Sequence, residues 1–485
     1  MDETTDIFAK EQVSICFRIV QANLKVEELF CGFFSTADTR ATTLFAILKD
    51  ILRRFNLPID KCRGQCYDGA ANMKGQHSGL QALVRQEEPR AIYVHCVAHV
   101  LNLVLQDMSQ RLDMCRDFLG VITDLINFVM SSPKRLHAFQ ECEQEDGNAS
   151  LRKFCPTRWT LKASSLRSVV QNYSRLMTFL DEIASEERNE AGAKASGFAK
   201  VLSRFETFFM LRLLTLVFSR LETVSSALQK PGLRFDQAEQ MVENVKGSII
   251  ELRHGFSRFW NETQTEAKKF DIEEPCVPVS RQRKVPRRYD EGSDAHAFQS
   301  AEDMYRQRYY EVVDTVQSSV VDRYPPAMWQ HMAHIESFVT GRSDSTYISN
   351  FYGADFDAGR LELHRDMAID IAKQRCIAPL KTVQDVVELF SGDDGGHMRD
   401  LLPEMTELLK IALTIPLTSC TSERSFSCLR RIKTYLRSTM SQARLNHVAL
   451  LHGHKGLARK LNLDAIADEF IGRSAVRRNT FFTTA

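Results

Sequence analysis

The sequence has almost no net charge: 63 Lys and Arg stand against 62 Asp and Glu, leaving +1. A chain that binds polyanions or polycations through its overall charge is thereby excluded, whereas a local basic face is not. Long apolar runs are also missing. The most apolar stretch, residues 205–218, is interrupted by Glu206 and Arg212 and is too short and too charged to span a bilayer. The opening Met1-Asp2-Glu3-Thr4-Thr5-Asp6 has neither a basic n-region nor an apolar h-region, so it does not read as a secretory signal. Twelve cysteines are scattered without the dense spacing of a disulfide framework, which points to reduced thiols inside the cell. No repeat of 20–50 residues is visible. What the sequence does have is 44% apolar and 26% charged residues. That is enough apolar surface to exclude intrinsic disorder over most of the chain. A length of 485 residues predicts two to four domains.

Residues 12–20 and 28–35 are rich in β-branched and aromatic side chains and predict two strands. The intervening Gln21-Ala22-Asn23-Leu24 reads as a turn, giving an antiparallel hairpin. Leu44, Ile47, Leu48 and Ile51 then recur at helical spacing. A strand over 62–67, a helix over 79–85, a short apolar strand over 91–94 and a helix over 98–105 complete an α/β order. From about 110 to 265 the periodicity is almost purely helical. Residues 271–300 break it with Pro275, Pro278, Pro286 and the basic run around Arg283, Lys284, Arg287 and Arg288, which is loop composition. Residues 391–396 form a second break. Residues 411–418 predict a buried strand leading to Glu423. Between Arg424 and Lys460 there are nine Lys or Arg and no Asp or Glu.

Three acids stand out by position. Asp2 opens the segment before the first hairpin, Asp68 leaves a strand into Gly69-Ala70-Ala71-Asn72, and Glu423 begins a helix. Three converging carboxylates make a hard, oxygen-rich site suited to Mg²⁺ or Mn²⁺, and two such ions can promote phosphodiester chemistry. Taken singly, each acid is better explained as a helix cap or an exposed turn charge.

The order of several motifs carries a family resemblance. These are Asp2-Glu3-Thr4-Thr5-Asp6, the run from Cys66 through Asp68 to Gly75, and His95-Cys96-Val97-Ala98-His99. Further on come Thr157-Arg158-Trp159, Ser422-Glu423-Arg424-Ser425-Phe426-Ser427 and Arg444-Leu445-Asn446-His447. In this order the chain resembles hAT-superfamily transposases, relatives of hobo and Activator, of the domesticated zinc-finger-MYM-like type. The resemblance implies an α/β plus α fold, with an RNase H-like mixed-sheet core interrupted by a large all-helical insertion. The expected division is 1–145 for the first half of the core and 146–395 for the insertion. Residues 396–470 would form the second half with the family's dimerisation region, followed by a tail over 471–485.

The family's acidic triad maps onto Asp2, Asp68 and Glu423, holding Mg²⁺ or Mn²⁺ where catalysis survives; Asp6 is a rival for the first place. Trp159 resembles the tryptophan that stacks on a flipped base, a use suited to an aromatic face. Arg158 is then a phosphate contact. Cys96 and His99 resemble the family's active-site support. With Cys62, Cys66 and His95 nearby a zinc site is the competing reading, although a second ligand pair is not evident. Arg283, Lys284, Arg287 and Arg288 fit DNA binding or nuclear import, against a solvated loop. Leu445, Val448, Leu450 and Leu451 provide an apolar face for a second copy, or pack within the core.

Active family members carry an N-terminal zinc finger that is not seen before Asp2, and the strand leading into the first Asp is missing. Asp2 is therefore expected on a disordered terminus. The implied function is a truncated or domesticated transposase-derived protein in the nucleus. It would keep self-association, with DNA as a further expected partner, and neither a membrane nor a small-molecule substrate. The alternative is an active DDE-type transposase fragment performing metal-dependent cleavage and strand transfer.

Overall fold

The computed structural model describes residues 1–142, 150–154, 162–230, 232–277, 298–353, 355–375, 379–392, 395–434, 437 and 439–481. Contacts divide them into two compact units. The first comprises 1–94, 351–364 and 387–485, and the second 95–350 and 365–386.

The first unit opens with three antiparallel strands in the order β1-β2-β3: β1 (Asp2–Thr5), β2 (Glu11–Val20) and β3 (Val26–Thr36). Asp2 faces Ser14 across the β1–β2 ladder. Asp2 is thus an ordered strand residue and not part of a disordered terminus. Sequence propensity undervalued this segment because Asp-Glu-Thr-Thr has little strand preference of its own; a neighbouring ladder supplies the order. The β2–β3 hairpin turns through Gln21–Lys25, where Gln21 N–H donates to the Lys25 carbonyl at 2.9 Å and Leu24 adopts φ 64°. A register shift between Ile15 and Cys16 lies opposite Gly32. Gly32 has φ 130°, and a Cβ there would meet the Asn446 side chain at 3.3 Å. Only glycine satisfies both conditions without strain.

Helix α1 (Ala41–Arg54) follows, with Leu44 and Ile51 completely buried on one stripe. Then come β4 (Gly64–Tyr67), the short α2 (Ala71–Lys74), α3 (Leu80–Glu87) and β5 (Ile92–His95), with β4 and β5 forming a separate two-stranded sheet. Val13 and Ile15 project from β2 into a core shared with Leu44, Ile51, Tyr67, Leu80 and Val84. The alternation of side chains along β2 sends Ser14 to the opposite face.

The second unit is helical. It includes α4 (Val97–Arg111), α5 (Phe205–Leu228), α6 (Phe235–His254), α7 (Phe256–Lys269) and α8 (Ala301–Arg323). Helix α5 buries residues on nearly every side, Phe208, Phe209, Leu211, Leu213 and Leu214 among them. This all-round burial explains its run of apolar residues without a membrane. No described helix is long and apolar enough to cross one. Phe205, Phe209, Trp260 and Tyr305 form an aromatic cluster with ring centroids 4.8–6.4 Å apart. Arg323 pairs with Asp107 at 2.6 Å, and the Tyr324 hydroxyl donates to the Val97 carbonyl at 2.6 Å.

The first unit resumes with α9 (Pro403–Thr414), α10 (Cys420–Ile432), α11 (Gln442–Gly453), α12 (Leu463–Gly472) and α13 (Ala475–Phe481). Residues 411–414, expected in a strand, are the last turn of α9, and 415–418 carry no strand. The apolar run is the C-terminal part of a helical stripe through Met405, Leu408, Leu409 and Ala412, opened by Pro403 in the first turn. Helices α10 and α11 cover the second face of the hairpin, where Phe30 and Phe33 pack with Phe426, Leu429, Ile432, Leu445 and Ala449. The three-stranded sheet is thus covered on both faces. A partly buried ion network also anchors Asp355 in this unit, through Arg63 at 2.6 Å and Arg90 at 2.8 Å, with Glu88 closing on Arg90 at 2.7 Å.

Candidate functional site

Asp2, Asp68 and Glu423 lie at three different structural ends of the first unit. Asp2 starts β1. Asp68 immediately follows β4, and its carboxylate accepts the Ala70 N–H at 3.1 Å. Glu423 sits in the first turn of α10, where the helix dipole favours a negative charge. Burial, and then the negative charges of Glu423 and Asp68, push the Asp2 carboxyl well above its ordinary range. The Asp2 carboxyl therefore feels both other acids, although 355 positions separate Asp68 from Glu423 in sequence. Their donor chemistry suits a hard divalent ion. The three carboxylates do not, however, all place an oxygen within 4.8 Å of one another. A single ion bound by all three would need them closer, since metal–oxygen distances are about 2.0–2.1 Å for Mg²⁺.

Glu3, on the next residue of β1, is a fourth carboxyl that sequence reading did not single out. Burial pushes it up to about 7, against the hydrogen bond that Asn72 donates to it at 3.0 Å. Asn72 also donates to the Thr39 carbonyl at 2.7 Å. The small-residue turn after Asp68 was the available signal, because it delivers Asn72 to this carboxylate.

Asp6 has a different role. Its carboxylate accepts from the Phe8 N–H at 2.8 Å, the Lys10 N–H at 3.2 Å and Gln12 Nε2 at 3.2 Å, and it pairs with buried Lys433. Burial alone would raise its pKa, but the Lys433 hydrogen bond and the two backbone donors hold it below the usual range. Its oxygens are committed to a turn and an ion pair, whereas Asp2 faces the other two acids.

Cys96 and His99 belong to the second unit. Cys96 is fully buried immediately before α4, beside Tyr324, and His99 stands one helical turn into α4, its ring 6.2 Å from that of His95. None of the ten described cysteines forms a disulfide. Arg158, Trp159, Arg283, Lys284, Arg287 and Arg288 lie outside the described residues.

Of the apolar positions proposed for self-association, Leu445 is buried in the core, and Val448 and Leu450 pack against it. Leu451 is exposed. It is joined by Leu457, Leu463, Phe470, Val476 and Phe481, of which Leu463 is 73% and Val476 74% exposed. On the same segment, Arg424, Arg430, Arg431, Arg437, Arg444, Lys455, Arg459 and Lys460 are exposed, whereas Lys433 is buried on Asp6.

Three family models match successive parts of the chain. Residues 1–79 match the ZMYM1/FAM200 RNase-like domain, residues 94–196 the ZBED1 RNase-like helical domain, and residues 373–456 the hAT family C-terminal dimerisation region. In these three segments the chain is similar to hAT-family, transposase-derived proteins. Among curated proteins it is similar to the human 52 kDa repressor of the inhibitor of the protein kinase, 22% identical over 97% of this chain. The mouse protein of the same name is 21% identical over 97% of this chain. The chain spans 63% of the length of both relatives.

Proposed function

We propose that this chain works without catalysis, as a self-associating protein that contacts DNA or chromatin through the basic face of its C-terminal segment. The match of residues 373–456 to the hAT dimerisation region is the observation that carries this reading. Two surfaces of the described structure support it. Exposed apolar side chains recur beyond the match through α12 and α13, and exposed apolar surface is a common mark of interaction sites. Eight exposed cations from Arg424 to Lys460 face no acid from their own segment, a composition that neutralises phosphates. Nuclear location follows from this reading, and the word repressor in the relatives' name supports it.

The finer fold reading is an RNase H-like core over 1–145 and 396–470 with a helical insertion between them. The sheet covered on both faces and the RNase-like family matches support it. In this reading the acids Asp2, Asp68 and Glu423 are a retained triad.

A second reading, a DDE-type transposase fragment, is favoured by the charge coupling of those acids. There Mg²⁺ or Mn²⁺ would supply Lewis-acid activation of a phosphodiester, with the three carboxylates as its holders. The test is a fluorescent-duplex assay that records binding and nicking together in the presence of Mn²⁺. The proposed function predicts salt-dependent binding without nicking, unchanged in Glu423→Gln. Nicking that Glu423→Gln abolishes would replace it with the second reading, and absence of DNA binding would remove its DNA-contacting part.

A further inference from the structure

Helices α12 and α13 of the first unit pack against one another, and apart from the half-buried Ile471 and Arg477 all their residues are exposed. Arg477 closes the pair. Its guanidinium lies 3.9 Å from the centre of the Phe470 ring and donates to the Phe470 carbonyl at 3.1 Å. A cation of α13 thus meets an aromatic face and a last-turn carbonyl of α12, two groups that suit a guanidinium.

The same segment carries a second pattern. Residues 473–481 hold three Arg and no Asp or Glu. Arg477 and Arg478 stand three and two positions before Thr480, and Phe481 follows it. The sequence has four Arg-Arg pairs, and only this one is followed at that spacing by Ser or Thr. Paired arginines at these positions, with an apolar residue directly after the acceptor, are what Arg-directed protein kinases read, because an acidic substrate groove complements two guanidiniums. Arg478, Thr480 and Phe481 are all exposed. Helix α13 has only seven residues, so opening it into the extended form that a kinase holds costs little. The Thr480 hydroxyl donates to the Val476 carbonyl at 2.8 Å, a bond that water can replace at this exposed position.

We propose that Thr480 is a phosphorylation site for an Arg-directed protein kinase, and that its phosphate draws Arg477 off Phe470. In the transfer, Thr480 Oγ1 bonds to the γ-phosphorus of ATP and the bond from that phosphorus to the β–γ bridging oxygen breaks. ADP leaves, and the hydroxyl proton passes to the base of the kinase. The phosphate carries a charge of about −1.5 to −2. Residues three apart on a helix are neighbours, so this charge competes for Arg477 against a neutral ring and a single carbonyl. A charge-assisted pair with phosphate is the stronger contact. The phosphate also sits in the last turn of α13, where the helix dipole disfavours negative charge. Both effects loosen α13 from α12 and uncover the Phe470 ring.

The test treats the folded full chain with the catalytic subunit of cAMP-dependent protein kinase and Mg-ATP. Peptide mass spectrometry maps the phosphate, and amide exchange is then followed over residues 463–481. Phosphate is expected on Thr480, and its incorporation is expected to be about tenfold slower in Arg478→Ala, which leaves the Arg477–Phe470 contact in place. Exchange is expected to quicken by about tenfold in the phosphorylated chain and to stay unchanged in Thr480→Ala treated in the same way. No phosphate on Thr480, or phosphate there only after heat unfolding, would overturn the site. An equal rate in Arg478→Ala would overturn its recognition through the paired arginines. Unaltered exchange in the phosphorylated chain would overturn the release of Arg477.

Discussion

The Asn446 side chain satisfies both backbone groups of Phe33, 413 residues earlier in the chain. Its Oδ1 accepts from the Phe33 N–H and its Nδ2 donates to the Phe33 carbonyl, each at 2.8 Å. Gln442 Nε2 donates to the same carbonyl at 2.8 Å, and a His454 ring nitrogen lies 2.8 Å from the Phe30 carbonyl. Helix α11 therefore seals the outer edge of β3 with side chains where another sheet would use a strand. This protects an edge that would otherwise be open to other chains.

Replacing that amide tests the seal. Asn446→Leu leaves the Phe33 N–H without its acceptor, while the carbonyl keeps Gln442. The expected loss is about 1–3 kcal/mol, read as a lower urea midpoint with an unchanged m-value. A midpoint equal to that of the parent protein would show that the edge is satisfied in another way.

Lys433 and Asp6 form a buried pair whose halves come from opposite ends of the chain. Lys433→Met strands the Asp6 carboxylate and is expected to cost about 3–5 kcal/mol. Adding Asp6→Asn to that variant should recover most of the loss, because no buried charge then remains. The folded pKa of Asp6 is depressed, so its stabilisation is present above the unfolded value of about 3.9 and disappears as pH falls through the folded value. Denaturation curves of the parent and the double variant should therefore converge in acid.

Asp2 behaves in the opposite sense. Burial and the nearby Glu423 and Asp68 charges raise its pKa, so its contribution is favourable at low pH and is lost as pH rises through the raised value. Asp2→Asn should then melt above the parent at pH 7, with the difference shrinking toward pH 4. A lower melting temperature for Asp2→Asn at pH 7 without added metal would show that Asp2 carries a compensating partner.

Glu3 is expected to titrate near 7 in a carboxyl-labelled NMR experiment. The Asn72 hydrogen bond favours the charged form, so Asn72→Ala should move the midpoint upward. A downward movement would contradict the assigned contact.

Local signals made part of this architecture readable. β-branched and aromatic residues marked β2 and β3, and helical spacing of Leu44, Ile47, Leu48 and Ile51 marked α1. The strand β1 was not legible, because four polar residues acquire strand geometry only from the β2 ladder. Residues 411–414 misled for the reverse reason: the Ile-, Leu- and Thr-rich segment 411–418 fits a strand, but burial at Met405, Leu408, Leu409 and Ala412 makes its first half a helical stripe. The acids were nameable by motif, yet the influence of Glu423 and Asp68 on the Asp2 carboxyl arises only in the folded chain. So is the competing commitment of Asp6 to Lys433, which no spacing announces. The Asn446–Phe33 and Arg63–Asp355 contacts had no local signature, since each joins segments hundreds of residues apart.

Self-association is tested by the solution mass of the purified chain, by light scattering over a range of concentrations, with and without Mn²⁺. Self-association through the C-terminal region predicts a mass about twice the 55.4 kDa of one chain, independent of metal and reduced by Leu463→Asp combined with Val476→Asp on the exposed C-terminal helices. A strictly monomeric protein at every concentration would contradict it.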